Sequence, residues 1–156
     1  MGDYLRVTKE CTPDSLDPAL AGAIRDHIEK HEPGDIFSSV LFCCETTSTR
    51  KKKRLLAGKP EVILTGILLT PQWLIWAAGK ENEIPGVISA RLRDIQVQDY
   101  EKSELYKLIQ DTGLSISGLR MDAVVLGSAF IGLGTEPAAQ TFREKLKDAI
   151  AKAKII

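Results

Sequence analysis

Long apolar runs are missing from this sequence. No stretch approaches the roughly 18 consecutive apolar residues of a membrane-spanning helix. The opening residues, Met-Gly-Asp-Tyr-Leu-Arg, also lack the apolar core of a secretory signal peptide. From both absences we expect a cytoplasmic protein. The chain of 156 residues is long enough to bury one sizeable core without covalent staples.

Cysteine is scarce, with three residues in the whole chain. An odd number of cysteines, two of them adjacent, is a poor basis for a disulfide framework. Neighbours on a strand point to opposite faces, so Cys43 and Cys44 are not expected to act as a pair. We expect these two and Cys11 to be buried, free thiols in a reducing compartment.

An excess of charge of either sign is also missing, because 21 Lys and Arg residues balance 21 Asp and Glu residues. A protein devoted to nucleic acid usually carries a clear basic excess, so we expect no nucleic-acid partner. The remaining composition, 44% hydrophobic and 27% charged, is that of an ordinary globular domain.

The sequence has few candidates for catalytic or metal-binding side chains. The only two histidines, His27 and His31, lie four residues apart, a spacing that can bind one metal on a helix. Ile28 follows His27 where a zinc protease has glutamate, and two ligands rarely hold zinc. No serine or cysteine nucleophile stands in a pattern with a base. We therefore expect no enzyme, no metal and no cofactor.

Apolar stripes predict one helix near each end of the chain. Asp17 can cap the first helix and Pro18 fits its first turn, and apolar residues then recur every four positions across residues 18–31. Before the second helix, Thr135 can cap and Pro137 again fits the first turn. The stripe of this helix consists of Phe142, Leu146, Ile150 and Ala153.

Between the helices, short runs of β-branched and aromatic residues separated by turn residues predict seven strands. These predicted strands cover residues 36–47, 61–69, 73–78, 87–92, 95–100, 114–119 and 124–133. Residues 3–9 are compatible with a further short strand or with a loose arm.

The middle strands are apolar on both faces. A half-exposed strand should alternate apolar and polar residues, but residues 62–69 and 73–76 carry apolar side chains on either side. One face can line the core, and the other needs the N-terminal helix or another subunit as cover. The hypothesis of a subunit interface selects Ile63, Ile67, Leu69, Trp73 and Trp76.

Two segments carry a family resemblance. Residues 66–76, GILLTPQWLIW, resemble the hairpin of GRAM-type and bacterial pleckstrin homology (PH) domains, although Trp73 stands where that hairpin often has a basic residue. Residues 130–137, FIGLGTEP, with Phe142 and Leu146 after them, resemble the last strand and helix of the same group. The likeness covers about residues 35–154.

The resemblance implies an α+β fold. It would be a PH-like seven-stranded antiparallel barrel or sandwich with a C-terminal capping helix and an added N-terminal helix. The chain would divide into an N-terminal helical extension, residues 1–34, and a PH-like domain, residues 35–156. Bacterial PH-like domains, which this chain resembles, form ring-like homo-oligomers. The resemblance therefore implies a non-catalytic module for protein–protein interaction or homo-oligomeric assembly.

The densest charge in the chain lies in residues 50–59. In lipid-binding PH domains the loop between the first two strands carries basic residues that hold inositol phosphates. By resemblance, that place is occupied by Arg50, Lys51, Lys52, Lys53, Arg54 and Lys59. Clustered cations attract anionic head groups at about 1 kcal/mol per residue near a charged surface. Binding of phosphate or of an anionic membrane surface is thus the alternative function, and a solvated hairpin tip is the competing interpretation of the run.

Overall fold

The computed structural model describes residues 3–31, 36–51, 60–120 and 126–155. Within these ranges the chain is an α+β protein with two antiparallel sheets and two α-helices. The elements are β1 (Tyr4–Glu10), α1 (Pro18–His31), β2 (Phe42–Arg50), β3 (Val62–Leu69), β4 (Trp73–Lys80), β5 (Gly86–Arg91), β6 (Gln96–Asp99), β7 (Gly113–Arg120), β8 (Leu126–Gly132) and α2 (Pro137–Ile155).

The strands form a five-stranded sheet in the order β1-β2-β3-β4-β5 and a three-stranded sheet in the order β6-β7-β8. The predicted α+β class and the closing helix are confirmed. The predicted closed barrel is wrong, because the strands form two separate sheets. These sheets contain seven described strands between Phe42 and Gly132, together with β1. The first predicted strand also begins only at Phe42, since residues Phe37–Ser39 form a 3₁₀ turn.

The inner face of the five-stranded sheet, which we define as the face toward α2 and the three-stranded sheet, forms the larger core. The apolar stripe of α2 enters this core, and Phe142 and Leu146 are completely buried. Burying such a side chain contributes about 1.5–3 kcal/mol. The strand residues in the same core include Ile67, Leu69, Trp76, Leu114, Ile116 and Ile131.

The outer face of the same sheet carries α1. Asp17 Oδ2 accepts a hydrogen bond of 3.1 Å from the Ala19 amide, as expected of a helix cap. Leu20 and Ile24 are each 1% exposed, and they pack over the middle strands. A Cβ atom at Gly66 would lie 3.2 Å from Cδ1 of Leu20, so a glycine here lets the helix approach β3 closely.

β1 ties the five-stranded sheet to the rest of the chain. It pairs with β2 along its whole length, and Arg6 and Thr8 lie on the inner face. Arg6 donates to Asp111 at 2.9 and 2.8 Å and to Ser48 Oγ at 2.6 Å. The Thr8 amide donates to Glu136 Oε1 at 2.8 Å, directly before α2. Residues 3–9 are therefore a strand, the first of the two alternatives.

Among the described residues, neither α-helix is long and apolar enough to cross a membrane.

Candidate functional site

Three of the five predicted interface residues lie in the core. Ile67 and Leu69 are 0% exposed and Trp76 is 5% exposed, all on the inner face against α2 and the second sheet. The interface hypothesis is corrected for these three, because their own chain already covers them. Ile63 and Trp73 are half-buried. The two-sided apolar pattern is explained by α1, which covers the opposite face of β3 and β4.

The predicted basic loop is described only at its start. Arg50 ends β2, and its amide donates to the Glu61 carbonyl at 2.8 Å. The Lys51 amide donates to the Asp3 carbonyl at 2.8 Å, and both basic side chains are exposed. The remaining predicted ligands, Lys52, Lys53, Arg54 and Lys59, lie outside the described residues.

An acidic side chain stands beside the start of that basic run. Tyr4 donates its hydroxyl proton to Glu61 Oε1 at 2.8 Å, and Lys80 lies 3.3 Å from the other carboxylate oxygen. The hydrogen bond to Glu61 raises the pKa of Tyr4, and the same bond, with that from Lys80, lowers the pKa of Glu61. Glu61 therefore stays ionised and offsets part of the local positive charge.

The outer face has an open half that α1 does not cover, and we call it the β1 strip. Leu5 is 61% exposed and Val7 is 48% exposed, and both project from β1 on the side that carries α1. Across the sheet they lie opposite Thr49 and Thr47, with half-buried apolar residues beyond on β3. The signal for this surface was the alternation of apolar and polar residues in β1.

The cysteines confirm one expectation and correct another. Cys43 and Cys44 are buried in different cores on opposite faces of β2, so they do not pair. Cys11 is only half-buried, and its Sγ lies 3.2 Å from Cys43 Sγ. The hydrogen bond between them lowers the pKa of Cys11 and raises that of Cys43, while burial raises the pKa of Cys44.

The two histidines lie at the boundary between α1 and the sheet. His27 Nε2 is 2.8 Å from Ser89 Oγ on β5, and the two histidine rings stack with centroids 4.1 Å apart. Burial lowers the pKa of His27, and the charges of His31 and Lys30 lower it further. The contact with Ser89 thus fastens α1 to the edge of the sheet. No group of three or more potential metal ligands occurs in the described ranges.

An ion-pair network joins α2 to the end of β6. Arg143 is 9% exposed, and its guanidinium lies 2.9 Å from both Asp99 and Glu101. Lys147 reaches the same Asp99 carboxylate at 3.0 Å. Burial raises the pKa of Asp99, but the hydrogen bonds and charges of Lys147 and Arg143 outweigh burial and lower it overall. Asp99 is therefore ionised and holds the helix by its charge.

Replacing Asp99 with asparagine should reduce the loss of thermal stability at acidic pH. The folded-state pKa lies below that of an unfolded aspartate. The stabilisation is therefore present above about pH 4 and is lost as the pH falls through the folded-state pKa. In thermal unfolding series, the wild-type midpoint should fall more steeply below about pH 4 than that of Asp99→Asn. Asp148→Asn, on the exposed side of α2, is the control, and parallel wild-type and Asp99→Asn curves would contradict the prediction.

Comparison of the chain with family models, with curated proteins and with solved structures finds no match.

Proposed function

We propose that this chain is a non-catalytic, PH-like binding module that assembles with a second copy of itself. The PH-like fold is part of this proposal. Two antiparallel sheets that share one core with α2, and a Gly66–Trp76 hairpin that lets α1 approach β3, support it. Assembly is the function that the resemblance implies.

The β1 strip is the observation that carries the proposal. Leu5 and Val7 expose 61% and 48% of their surface, and they stand side by side on one sheet face. Exposed apolar side chains that neighbour one another on one face are candidates for an interaction site. A flat strand surface buries such side chains by packing face to face on another sheet, at about 10 Å separation.

The geometry favours a face-to-face contact over pairing of strand edges. The Thr8 amide on the outer edge of β1 already donates to Glu136, so a strand added there would have to break that bond. A two-fold axis across the β1 strip instead places Leu5 and Val7 of each copy against the same surface of the other. The net charge of zero adds no overall repulsion between copies.

Sedimentation equilibrium and light scattering over a concentration series test the proposal. The wild-type mass should exceed that of one chain at high concentration, and Leu5→Gln with Val7→Thr should shift the protein toward monomer. The control is Leu105→Gln with Leu108→Gln, which removes two exposed apolar side chains from the 3₁₀ turn Glu104–Lys107 and the residue that follows it. A wild-type monomer at all concentrations, or an equal effect of the control pair, would refute assembly through this surface.

A second candidate function is binding of phosphate or of an anionic lipid head group through residues 50–59. The charge run itself supports it, and the exposed Arg50 and Lys51 begin the run at the end of β2. Retention on anionic vesicles should then be strong at low salt and weaken as salt is added. Absence of retention at low salt would remove this candidate.

A further inference from the structure

A cleft opens beside Trp73, at the end of the outer face away from the β1 strip. Two cavities of about 280 and 330 Å³ adjoin there. Both are lined by Trp73, Arg91 and Arg93. Cavities of this size lie near the lower end of small-molecule sites, so they suit a small group. We call this place the Trp73 cleft.

The two shared arginines are the unbalanced charges of the cleft. Arg91 and Arg93 are exposed, and neither forms an ion pair with any carboxylate in the described ranges. The two other basic residues of the cavities do form ion pairs. Arg120 lies 3.5 Å from Asp94, and Lys152 lies 3.0 Å from Asp148. The cleft therefore holds an excess of positive charge where the two cavities meet.

The backbone holds both arginines in place. Leu92, between them, is 0% exposed, and its amide donates to the Gln72 carbonyl at 2.9 Å. Residues Leu92–Asp94 form a 3₁₀ turn on this anchor. A site on a fixed turn loses less entropy when it binds than a flexible loop does.

The aromatic wall is fixed as well. Thr70 Oγ1 accepts a hydrogen bond of 2.9 Å from the Trp73 amide, which closes the turn between β3 and β4. The guanidinium carbon of Arg91 lies 5.1 Å from the Trp73 ring centroid. This cation–π contact, worth about 0.5–1 kcal/mol at an exposed site, orients the guanidinium.

We propose that the Trp73 cleft binds the phosphate monoester of a small molecule or of a lipid head group, with Arg91 and Arg93 as its ligands. Guanidinium groups form paired, charge-assisted hydrogen bonds with phosphate oxygens. A phosphate dianion offers oxygens and charge to two arginines, whereas a single carboxylate balances only one. Trp73 then packs against the carbon skeleton of the ligand. The inference rests on the second candidate function and moves its site away from residues 50–59.

Tryptophan fluorescence and calorimetry give the direct test. The chain has two tryptophans, and Trp76 is 5% exposed, so a ligand-induced change reports on Trp73. Titration with glycerol phosphate should change the fluorescence and release heat. Arg91→Gln with Arg93→Gln should weaken binding by about tenfold for each arginine removed.

Charge-matched controls separate the cleft from general electrostatics. Lys30→Gln with Lys145→Gln removes two exposed cations that have no ion pair among the described residues, and it should leave binding unchanged. Arg50→Gln with Lys51→Gln tests the predicted basic loop. Loss of binding in either of these pairs, with binding retained in the Arg91 and Arg93 variant, would overturn the proposal.

Vesicles distinguish the two sources of the phosphate. Retention on phosphatidylcholine vesicles that contain phosphatidylinositol 4-phosphate, but not on those with phosphatidylserine, supports a lipid head group. Binding of glycerol phosphate without vesicle retention supports a free small molecule. No response to either probe overturns the proposal. Light scattering on the same variants keeps the outcomes separate, because Arg91→Gln with Arg93→Gln should not change the assembly state.

Discussion

A fragment that begins at residue 35 should fail to fold, although residues 35–156 make up the whole of the predicted PH-like domain. The deletion removes β1 and α1. Leu20 and Ile24 of α1 cover Leu68 and Ile75, which are both 0% exposed in the full chain. Without the helix, the outer face of β3 and β4 would meet water as a continuous apolar surface.

The expected loss is comparable with the whole stability of a domain. Leu16, Leu20 and Ile24 are nearly fully buried, and each contributes about 1.5–3 kcal/mol, roughly 5–9 kcal/mol together. A natural domain is stable by only about 5–15 kcal/mol in total. The deletion also removes Arg6, whose side chain is 10% exposed and ion-paired with Asp111, in the segment before β7. Leaving that carboxylate unpaired adds to the loss.

Circular dichroism and thermal unfolding of residues 35–156 against the full chain measure this effect. The fragment should show no cooperative transition. A matched pair of substitutions tests the same contact without truncation: Ile24→Ala should cost about 2–5 kcal/mol, while Glu29→Ala, on the exposed side of α1, should cost little. Cooperative unfolding of the fragment near the full-length midpoint would instead support the division into an extension and an independent domain.

Local periodicity explains what the sequence could predict. The stripe of α2 places Phe142 and Leu146 in the core, as expected, because a 3.6-residue repeat is visible in the sequence alone. The predicted strand at residues 61–69 differs from β3 by one residue at its start for the same reason. Such features depend on residues that are close in sequence, so one sequence is enough to predict them.

Features that depend on distant partners were missed. The inward face of β1 is polar, and its partners are remote: Arg6 binds Asp111 and Thr8 binds Thr46, across 105 and 38 positions. A polar inner face does not look like a strand in a core. For the same reason the sequence left open which face of β3 lines the core, and whether α1 or another subunit covers the opposite face.

The Trp73 cleft shows the same limit at a candidate site. Arg91 and Arg93 flank a single buried residue, which the sequence suggests only as alternation at the end of a strand. Their position beside Trp73 depends on the pairing of β4 with β5, where Trp73 stands opposite Arg91. The charge run at residues 50–59 can be recognised because it is continuous in sequence, whereas the residues that line the cleft are separated in sequence.

Hydrogen peroxide should join Cys11 to Cys43 in the folded protein and raise its thermal midpoint. The two residues continue the register of β1 and β2, with the Cys11 amide donating to the Cys43 carbonyl at 3.0 Å and the sulfurs 3.2 Å apart. Directly opposed strand residues have Cα separations of about 4.5–5.5 Å, within the range that a disulfide spans. The bond therefore needs little backbone movement.

The lowered pKa and partial exposure of Cys11 assign it the first step. Its thiolate attacks one peroxide oxygen, the O–O bond breaks, and the other oxygen takes up a proton to leave as water. The Cys43 sulfur then attacks the resulting sulfenic acid, forms the S–S bond and releases a second water. Two thiols are thereby oxidised while one peroxide is reduced to two waters.

The cross-link should stabilise the chain by restricting its unfolded state. Closing the loop from Cys11 to Cys43 corresponds to about 3–4 kcal/mol, or roughly 6–16 °C in thermal midpoint for a chain of this size. Thermal unfolding before and after oxidation, with peptide mass spectrometry, measures the shift and identifies the bond. Cys11→Ser should abolish the gain and Cys44→Ala should retain it, because Cys44 lies in the opposite core. A link between chains instead of within one would show that the two strands are not held in this register. An unchanged midpoint once the Cys11–Cys43 bond is found would contradict the expected stabilisation.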